Sequence, residues 1–430
     1  MKVLLVSHGT RGDVQPYVAL ACRLTAAGHE ATLMGPAAFR ELARSAGVPY
    51  VPVVDGPLEL LVDPVVLKAN EDCRGPRGVV RGMRWFSRNR PYYAKLLEDL
   101  IAKVKGLPRP DVVVFAPWVQ AHHLAEWLKV PAVPVCLQPG WAPTPDFVNP
   151  LVPVRLPASL SRASYAYAEW LVRLLYGSSV MRLRAELPGL PTRARGPGIL
   201  SRPDGRPATV LQAFDPGVLP GAPRYPPTVH TTGFWYLPTT GEWRMPADLR
   251  AFLEAGDRPV YIGFGSMVVS RSAARGRAVL AAVRKAGVRA VISADWGGEM
   301  ASAREQFQGA DEVFFSDEVP HDRLFPHMAA IAHHGGAGTT ASALRSGRPQ
   351  VICPFTFDQP FWAGRMHALG LASAPLPQYD LTEDRLAAAL RLAVSDSQLA
   401  EKAEQFGIRT LARDGVGKAV EVLETVVESS

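Results

Sequence analysis

At 430 residues the chain is longer than one ordinary hydrophobic core, so two or three domains are expected. A hydrophobic content of 47% with 20% charged residues is that of a soluble globular protein, and no apolar run reaches the length of a membrane span. The net charge of +7 and pI near 9.3 come mainly from two arginine clusters, Arg74, Arg77, Arg81, Arg84, Arg88 and Arg90, then Arg155, Arg162, Arg173, Arg182, Arg184, Arg193 and Arg195. Aromatic residues such as Trp85, Tyr92, Tyr93 and Trp170 are interleaved with them. No nucleic-acid motif accompanies the clusters, so no nucleic-acid partner is expected. An anionic acceptor or contact with a membrane surface stays open. Arginine-bearing solvated helix faces are the simplest explanation. Cys22, Cys73, Cys136 and Cys353 are scattered without metal or redox spacing, which fits a reduced, cytoplasmic setting.

In chain order, residues 2–7 are too short an apolar run for a signal peptide and predict a strand. It leads through the glycine turn Ser7-His8-Gly9-Thr10-Arg11-Gly12-Asp13 into a helix over 14–27. Further strands are expected at 30–34, 50–54, 111–115 and 132–136, with helices at 37–46 and 119–129. The alternation implies a parallel, doubly wound sheet. The pattern loosens over 141–200 around an aromatic helix near 160–185, as an insertion shaping a pocket would. A stretch dense in proline and glycine then marks a domain boundary.

A second α/β series follows: strands at 259–264, 289–293, 312–315, 329–333 and 350–354, and a helix at 271–286. The last thirty residues read as polar helix. We therefore expect an N-terminal domain over 1–215 and a linker over 216–241. A C-terminal domain over 242–400 is followed by a helical segment, 401–430, packing back on the first domain. Two such Rossmann-like domains would leave a cleft between facing strand ends, one holding a nucleotide-linked donor and the other an acceptor.

The most informative segment is Ile331-Ala332-His333-His334-Gly335-Gly336-Ala337-Gly338-Thr339-Thr340. A buried strand runs through glycines into a helix expected over 340–346. Gly335, Gly336 and Gly338 let an anion approach the backbone, and the helix N-terminus faces it. His333, His334, Thr339 and Thr340 add donors, so the turn suits a diphosphate. A tight turn without a ligand is the competing reading. Asp358 and Gln359 follow the next strand and suit a polyol, although Asp358 is also a natural helix N-cap before Pro360. Asp13 offers a general base, or an N-cap for the helix beginning at Val14. Trp118, Gln138, Trp141 and Phe147 follow strands of the first domain and are expected to line an acceptor pocket. His122 or His123 could reach the same place. No histidine or carboxylate cluster has metal spacing, and no Asp-x-Asp occurs.

The segments Gly9-Thr10-Arg11-Gly12-Asp13-Val14-Gln15-Pro16, Gly263-Phe264-Gly265-Ser266, Val319-Pro320-His321, His333 to Thr340, and Phe357-Asp358-Gln359-Pro360 lie in one order along the whole chain. Together they resemble family 1 glycosyltransferases of the GT-B fold, nearest the bacterial natural-product and sterol glucosyltransferase branch. The resemblance implies two facing Rossmann-like domains. It also implies inverting, metal-independent transfer of a sugar from a nucleoside diphosphate (UDP or TDP) to a hydroxyl of a small hydrophobic acceptor, with no cofactor beyond the nucleotide sugar.

By position, Asp13 is then the catalytic base. His333, His334, Gly335, Gly336, Gly338 and Thr339 form the diphosphate site, with Ser266 a further phosphate contact. Val319 lies in the nucleobase strip, and Asp358 and Gln359 contact the donor sugar. Many members carry a ribose-binding glutamate where this chain has Ala341, which opens the way to a deoxyribose donor. A nucleotide-sugar epimerase and a non-catalytic nucleotide-sugar-binding partner are the competing functions.

Overall fold

The computed structural model describes residues 1–56, 58, 59, 75–152, 154, 156–190, 198–239, 241, 243–264, 272–293, 311–317 and 319–430, with the backbone alone over 75–83, at 86 and over 272–275. Ser266 lies outside the described residues. Two compact units emerge. Among the described residues, one comprises the chain up to residue 59, Pro76–Leu237 and Asp414–Ser430, and the other comprises Gly75 and Pro238–Arg413.

The first unit begins with β1 (Lys2–Val6), α1 (Arg11–Ala26), β2 (Glu30–Pro36), α2 (Arg40–Ser45), β3 (Tyr50–Val53) and the thirty-residue α3 (Gly75–Val104). It continues with β4 (Val112–Phe115), α4 (His122–Leu128), β5 (Ala132–Cys136), α5 (Ser161–Ser164), α6 (Ala166–Tyr176), α7 (Ser179–Glu186), β6 (Val210–Gln212) and β7 (Val229–Thr231). The seven strands form one parallel sheet in the order β3-β2-β1-β4-β5-β6-β7. Parallel strands covered on both faces need continuous apolar runs. Leu5, Val6 and all four residues of β4 are accordingly buried without exposed surface.

Several boundaries differ from the sequence reading. α1 starts at Arg11, with Thr10 as its N-cap, so Asp13 is the third helical residue and not the cap. The expected helix over 119–129 is shorter: a 3₁₀ turn, Pro117–Val119, and a left-handed Gln120 precede α4. α3 was not anticipated, because Pro91 sits inside it. Nor were β6 and β7. β7 lies within the proline-dense stretch 216–241, and the first unit continues to Leu237 with Trp235 buried. Through β7 that stretch adds an edge strand to the first sheet and is not a bare connector.

The second unit contains α8 (Ala247–Glu254), β8 (Val260–Gly263), α9 (Ser272–Ala286), β9 (Ala290–Ser293), β10 (Val313–Ser316), α10 (His321–Leu324) and β11 (Ile331–His333). It ends with α11 (Ala337–Arg345), β12 (Gln350–Ile352), α12 (Gln359–Ala368), α13 (Glu383–Ser395) and α14 (Ser397–Leu411). Its sheet is parallel, ordered β10-β9-β8-β11-β12. The chain end is two helices, not one. The second, α15 (Gly415–Glu428), packs on α1 in the first unit. Arg23 pairs with Asp414 at 2.7 Å and His29 with Glu424 at 2.9 Å. Burying Val420, Val422 and Leu423 there stabilises by roughly 1.5–3 kcal/mol each. No described helix is long and apolar enough to cross a membrane.

In both sheets strand order reverses beside the first strand of the unit. Ligands of open α/β sheets bind at the carboxyl ends of strands flanking such a reversal. In the first unit Val6 lies opposite Phe115, which sets the Ser7–Thr10 loop beside the loop carrying Trp118. In the second, His333 lies opposite Gly263.

Candidate active-site loops

Asp13 is held by the turn that leads into α1. Its Oδ2 accepts the Thr10 backbone N–H at 2.8 Å and the Thr10 hydroxyl at 2.9 Å, while Ser7 Oγ donates to the Asp13 carbonyl at 2.8 Å. Gly9 permits this. Its φ is +132°, and an added Cβ would stand 2.7 Å from Asp13 Cγ. Oδ1 has no hydrogen-bond partner among the described residues. A helix N-terminus favours the carboxylate, but burial outweighs the Thr10 bonds and raises the Asp13 pKa above its usual 3.8. That makes the half-buried carboxylate a better base than its helix position suggests. His8 is buried, with Nε2 donating to the Val54 carbonyl at 3.1 Å, and burial lowers its pKa.

Around Asp13 the first unit assembles aromatic groups. Tyr93 on α3 is within electrostatic reach of Asp13; burial first, and then that charge, push its phenol upward. Tyr93 meets Tyr176 edge-on at 5.2 Å, and the Tyr176 hydroxyl donates to the Trp118 carbonyl at 2.6 Å. Trp118 meets Trp141 edge-on at 4.8 Å, so these two expected acceptor residues come together. Gln138 is half-buried in the loop after β5, its carbonyl accepting from Gly140 N at 2.9 Å. Phe147 meets Tyr165 edge-on at 6.2 Å.

His122 and His123 depart from the expectation. Both are buried, their rings 4.0 Å apart, with His122 against Phe115. His123 Nδ1 accepts from Arg184, which also pairs with Glu126 at 2.5 Å. Burial and then Arg184 lower the His123 pKa to about 4. Arg184, read from sequence as part of a solvated cluster, is 3% exposed and ties α7 to α4. Tyr93 was not singled out as a site residue either, because α3, which carries it, was not anticipated.

In the second unit the His333 turn has a strand-to-helix form. Gly336 is the N-cap of α11, and the first intrahelical bond runs from Thr340 N to the Gly336 carbonyl at 2.9 Å. The amides of Ala337, Gly338 and Thr339 have no partner among the described residues and face the mouth of the helix. Gly335 has φ +89°, where glycine is favoured. A Cβ on Gly336 would collide with His334 Nε2. His334 Nδ1 and Thr340 Oγ1 are buried without a partner among the described residues. Orphaned polar atoms around free helix amides mark a ligand position. Burial, then His333 and His321, lower the His334 pKa to about 3. His333 is fully buried and both ring nitrogens are engaged, so its side chain lies beneath the turn and presents no free donor.

Asp358 and Gln359 adjoin this turn: an added Cβ on Gly335 would be 3.2 Å from the Gln359 carbonyl. Asp358 occupies the N-cap position of α12 but makes no side-chain cap bond; its Oδ2 accepts from Trp362 Nε1 at 2.8 Å. Gln359 Oε1 accepts from Phe355 N at 2.8 Å. Exposed Phe357 precedes them at φ +56°, a left-handed backbone that costs a non-glycine residue. Val319 packs against the cluster containing Tyr261 and Phe325, and His321 stacks on Phe325 at 4.2 Å. Ala341 is buried and brings no carboxylate to α11.

Residues 3–133 match the glycosyltransferase family 28 N-terminal domain, and residues 299–428 match the erythromycin biosynthesis protein CIII-like C-terminal domain. Two Arabidopsis thaliana sterol 3-beta-glucosyltransferases, UGT80A2 and UGT80B1, are 32% and 30% identical over 98% of this chain, which spans 64% and 67% of their lengths. It spans 30% of the sterol 3-beta-glucosyltransferase of Emericella nidulans, at 32% identity. The crystal structure of glycosyltransferase VinC in complex with DTDP superposes with a TM-score of 0.68 over 100% of both chains at 23% identity, a likeness of fold. With the sequence match to the plant enzymes and the two parallel-sheet units, the chain belongs to the GT-B glycosyltransferases, in the sterol glucosyltransferase branch.

Proposed function

We propose that the protein transfers a sugar from UDP or TDP to a hydroxyl of a small hydrophobic acceptor, sterol-like or a natural product, with inversion at the anomeric carbon. The acceptor oxygen attacks C1 of the sugar, the bond from C1 to the diphosphate oxygen breaks, and the acceptor proton passes to the Asp13 carboxylate. Charge growing on the leaving diphosphate falls to the free amides of Ala337, Gly338 and Thr339 and to His334. Asp358 and Gln359 read the sugar, Val319 lies beside the nucleobase, and Ser266 is a further phosphate contact. Trp118, Gln138 and Trp141 bind the acceptor, and His122 supports that wall from within.

The carrying observation is the α11 N-terminus, which among the described residues leaves three amides and the buried Nδ1 of His334 without a partner beside Asp358 and Gln359. An epimerase would have no use for the paired Trp118 and Trp141. Ala341 supports tolerance of a deoxyribose donor. The scattered cysteines support a cytoplasmic setting. The test is turnover of UDP- and TDP-sugars against a panel of sterols and hydrophobic alcohols, followed by mass spectrometry. Hydrolysis or epimerisation with no glycoside from any acceptor would overturn the proposal.

A further inference from the structure

We propose that Gln350 is a positioning residue for the diphosphate turn, acting by fixing the proton of His333 on Nε2. The inference rests on the reading of that turn as the diphosphate site. Ile331 lies opposite Gln350 and His333 opposite Ile352, so Gln350 and His333 are diagonal neighbours on one face of β11 and β12. Both are fully buried. His333 Nε2 is 2.9 Å from Gln350 Oε1, and Gly335 N donates to His333 Nδ1 at 3.1 Å.

The two contacts are coupled through the ring. Nδ1 can accept the Gly335 amide only if it carries no proton, so the proton is on Nε2 and Gln350 must offer its oxygen there. The reverse amide orientation would put a donor against Nε2 and force the ring proton onto Nδ1, facing the Gly335 N–H. Gln350 Nε2 has no partner among the described residues, so the amide is not oriented by a bond of its own. Burial holds the ring neutral, since it lowers the His333 pKa to about 4. A neutral Nε2–H imidazole thus pins Gly335, and Gly335 sets the direction in which the α11 amides point. His333 acts under the diphosphate and does not touch it.

The test pairs ¹⁵N-histidine NMR, with His333→Asn used to assign the signal, with calorimetric titration of UDP and TDP into wild type and Gln350→Met. The thioether keeps the bulk of glutamine and removes the strong acceptor. In wild type a neutral His333 protonated on Nε2 is expected, with slow exchange of the Gly335 amide. In Gln350→Met we expect a mixture of tautomers, faster Gly335 exchange, and about tenfold weaker nucleotide binding, the affinity equivalent of roughly one hydrogen bond. A packing role alone would lower the melting temperature and leave tautomer and affinity unchanged; that result would overturn the inference. So would a wild-type proton on Nδ1, which needs no ligand to observe. Failure of wild type to bind either nucleotide would instead overturn the diphosphate reading, while the tautomer measurement still decides the role of Gln350.

Discussion

Gly335→Ala is expected to damage nucleotide binding along with stability, and the structure sets the scale. The left-handed backbone at Gly335 costs an alanine roughly 1–2 kcal/mol. The new methyl would stand 2.8 Å from Ile352 Cγ2 and 3.2 Å from the Gln359 carbonyl. Forcing it into that packed space costs roughly 1–3 kcal/mol more. Ile352 belongs to β12 and Gln359 begins α12, so neither yields easily. The turn itself moves, carrying the α11 amides off line. Thermal unfolding and calorimetric titration with UDP and TDP read the two effects. Gly335→Ala should melt lower and bind at least about tenfold more weakly, a loss of roughly 1.4 kcal/mol. Gly364→Ala, whose methyl would meet nothing within 4 Å, is the control. It should bind normally and gain roughly 0.5–1 kcal/mol from helix propensity. Wild-type affinity in Gly335→Ala would refute the reasoning.

Asp13→Asn should be at least as stable as wild type at neutral pH. The folded pKa of Asp13 lies above its unfolded value, so the stability it contributes below pH 3.8 is lost as pH rises through the folded pKa. The amide cannot ionise, and the variant's advantage in melting temperature should shrink as pH falls towards 3.8. An advantage that grew on acidification would contradict the shift. Arg184→Ala should destabilise by about 3–5 kcal/mol, because it strands Glu126 in the interior; denaturant unfolding that shows a loss under about 1 kcal/mol would place the pair effectively at the surface. Turnover should survive EDTA, since the amides of α11 and His334 are proposed to stabilise the leaving diphosphate. Activity abolished by EDTA and restored by Mg²⁺ would assign that task to a metal.

Much of this was legible in the sequence for a physical reason. Strands buried on both faces leave continuous apolar runs, and tight strand-to-helix turns with a positive φ need glycine, so β1, β11 and the turns after them could be read directly. Asp358 beside Gln359 at a strand end was equally plain. Other features depend on packing that pattern alone does not carry. The start of α1 was misplaced because Gly12 and Pro16 are poor helix residues, while the Thr10–Asp13 pairing that starts the helix shows only in three dimensions. β6 and β7 are three residues each, too short for periodicity. Burial of Arg184 depends on Glu126, 58 residues away in sequence. The resemblance puts His333 first at the turn and His334 beside it, yet His333 faces inward to Gln350, and of the two it is His334 that keeps a nitrogen without a partner among the described residues.

The central claim is inverting sugar transfer with Asp13 as the base. It is tested most directly by incubating wild type and Asp13→Asn with an α-linked UDP- or TDP-sugar and an accepted alcohol, and by determining the anomeric configuration of the product by NMR. Wild type should give the β-glycoside. Asp13→Asn should bind the nucleotide normally yet turn over about a hundredfold or more slowly, the usual scale for loss of a general base. An α-linked product, or near-normal turnover by a folded Asp13→Asn, would contradict it.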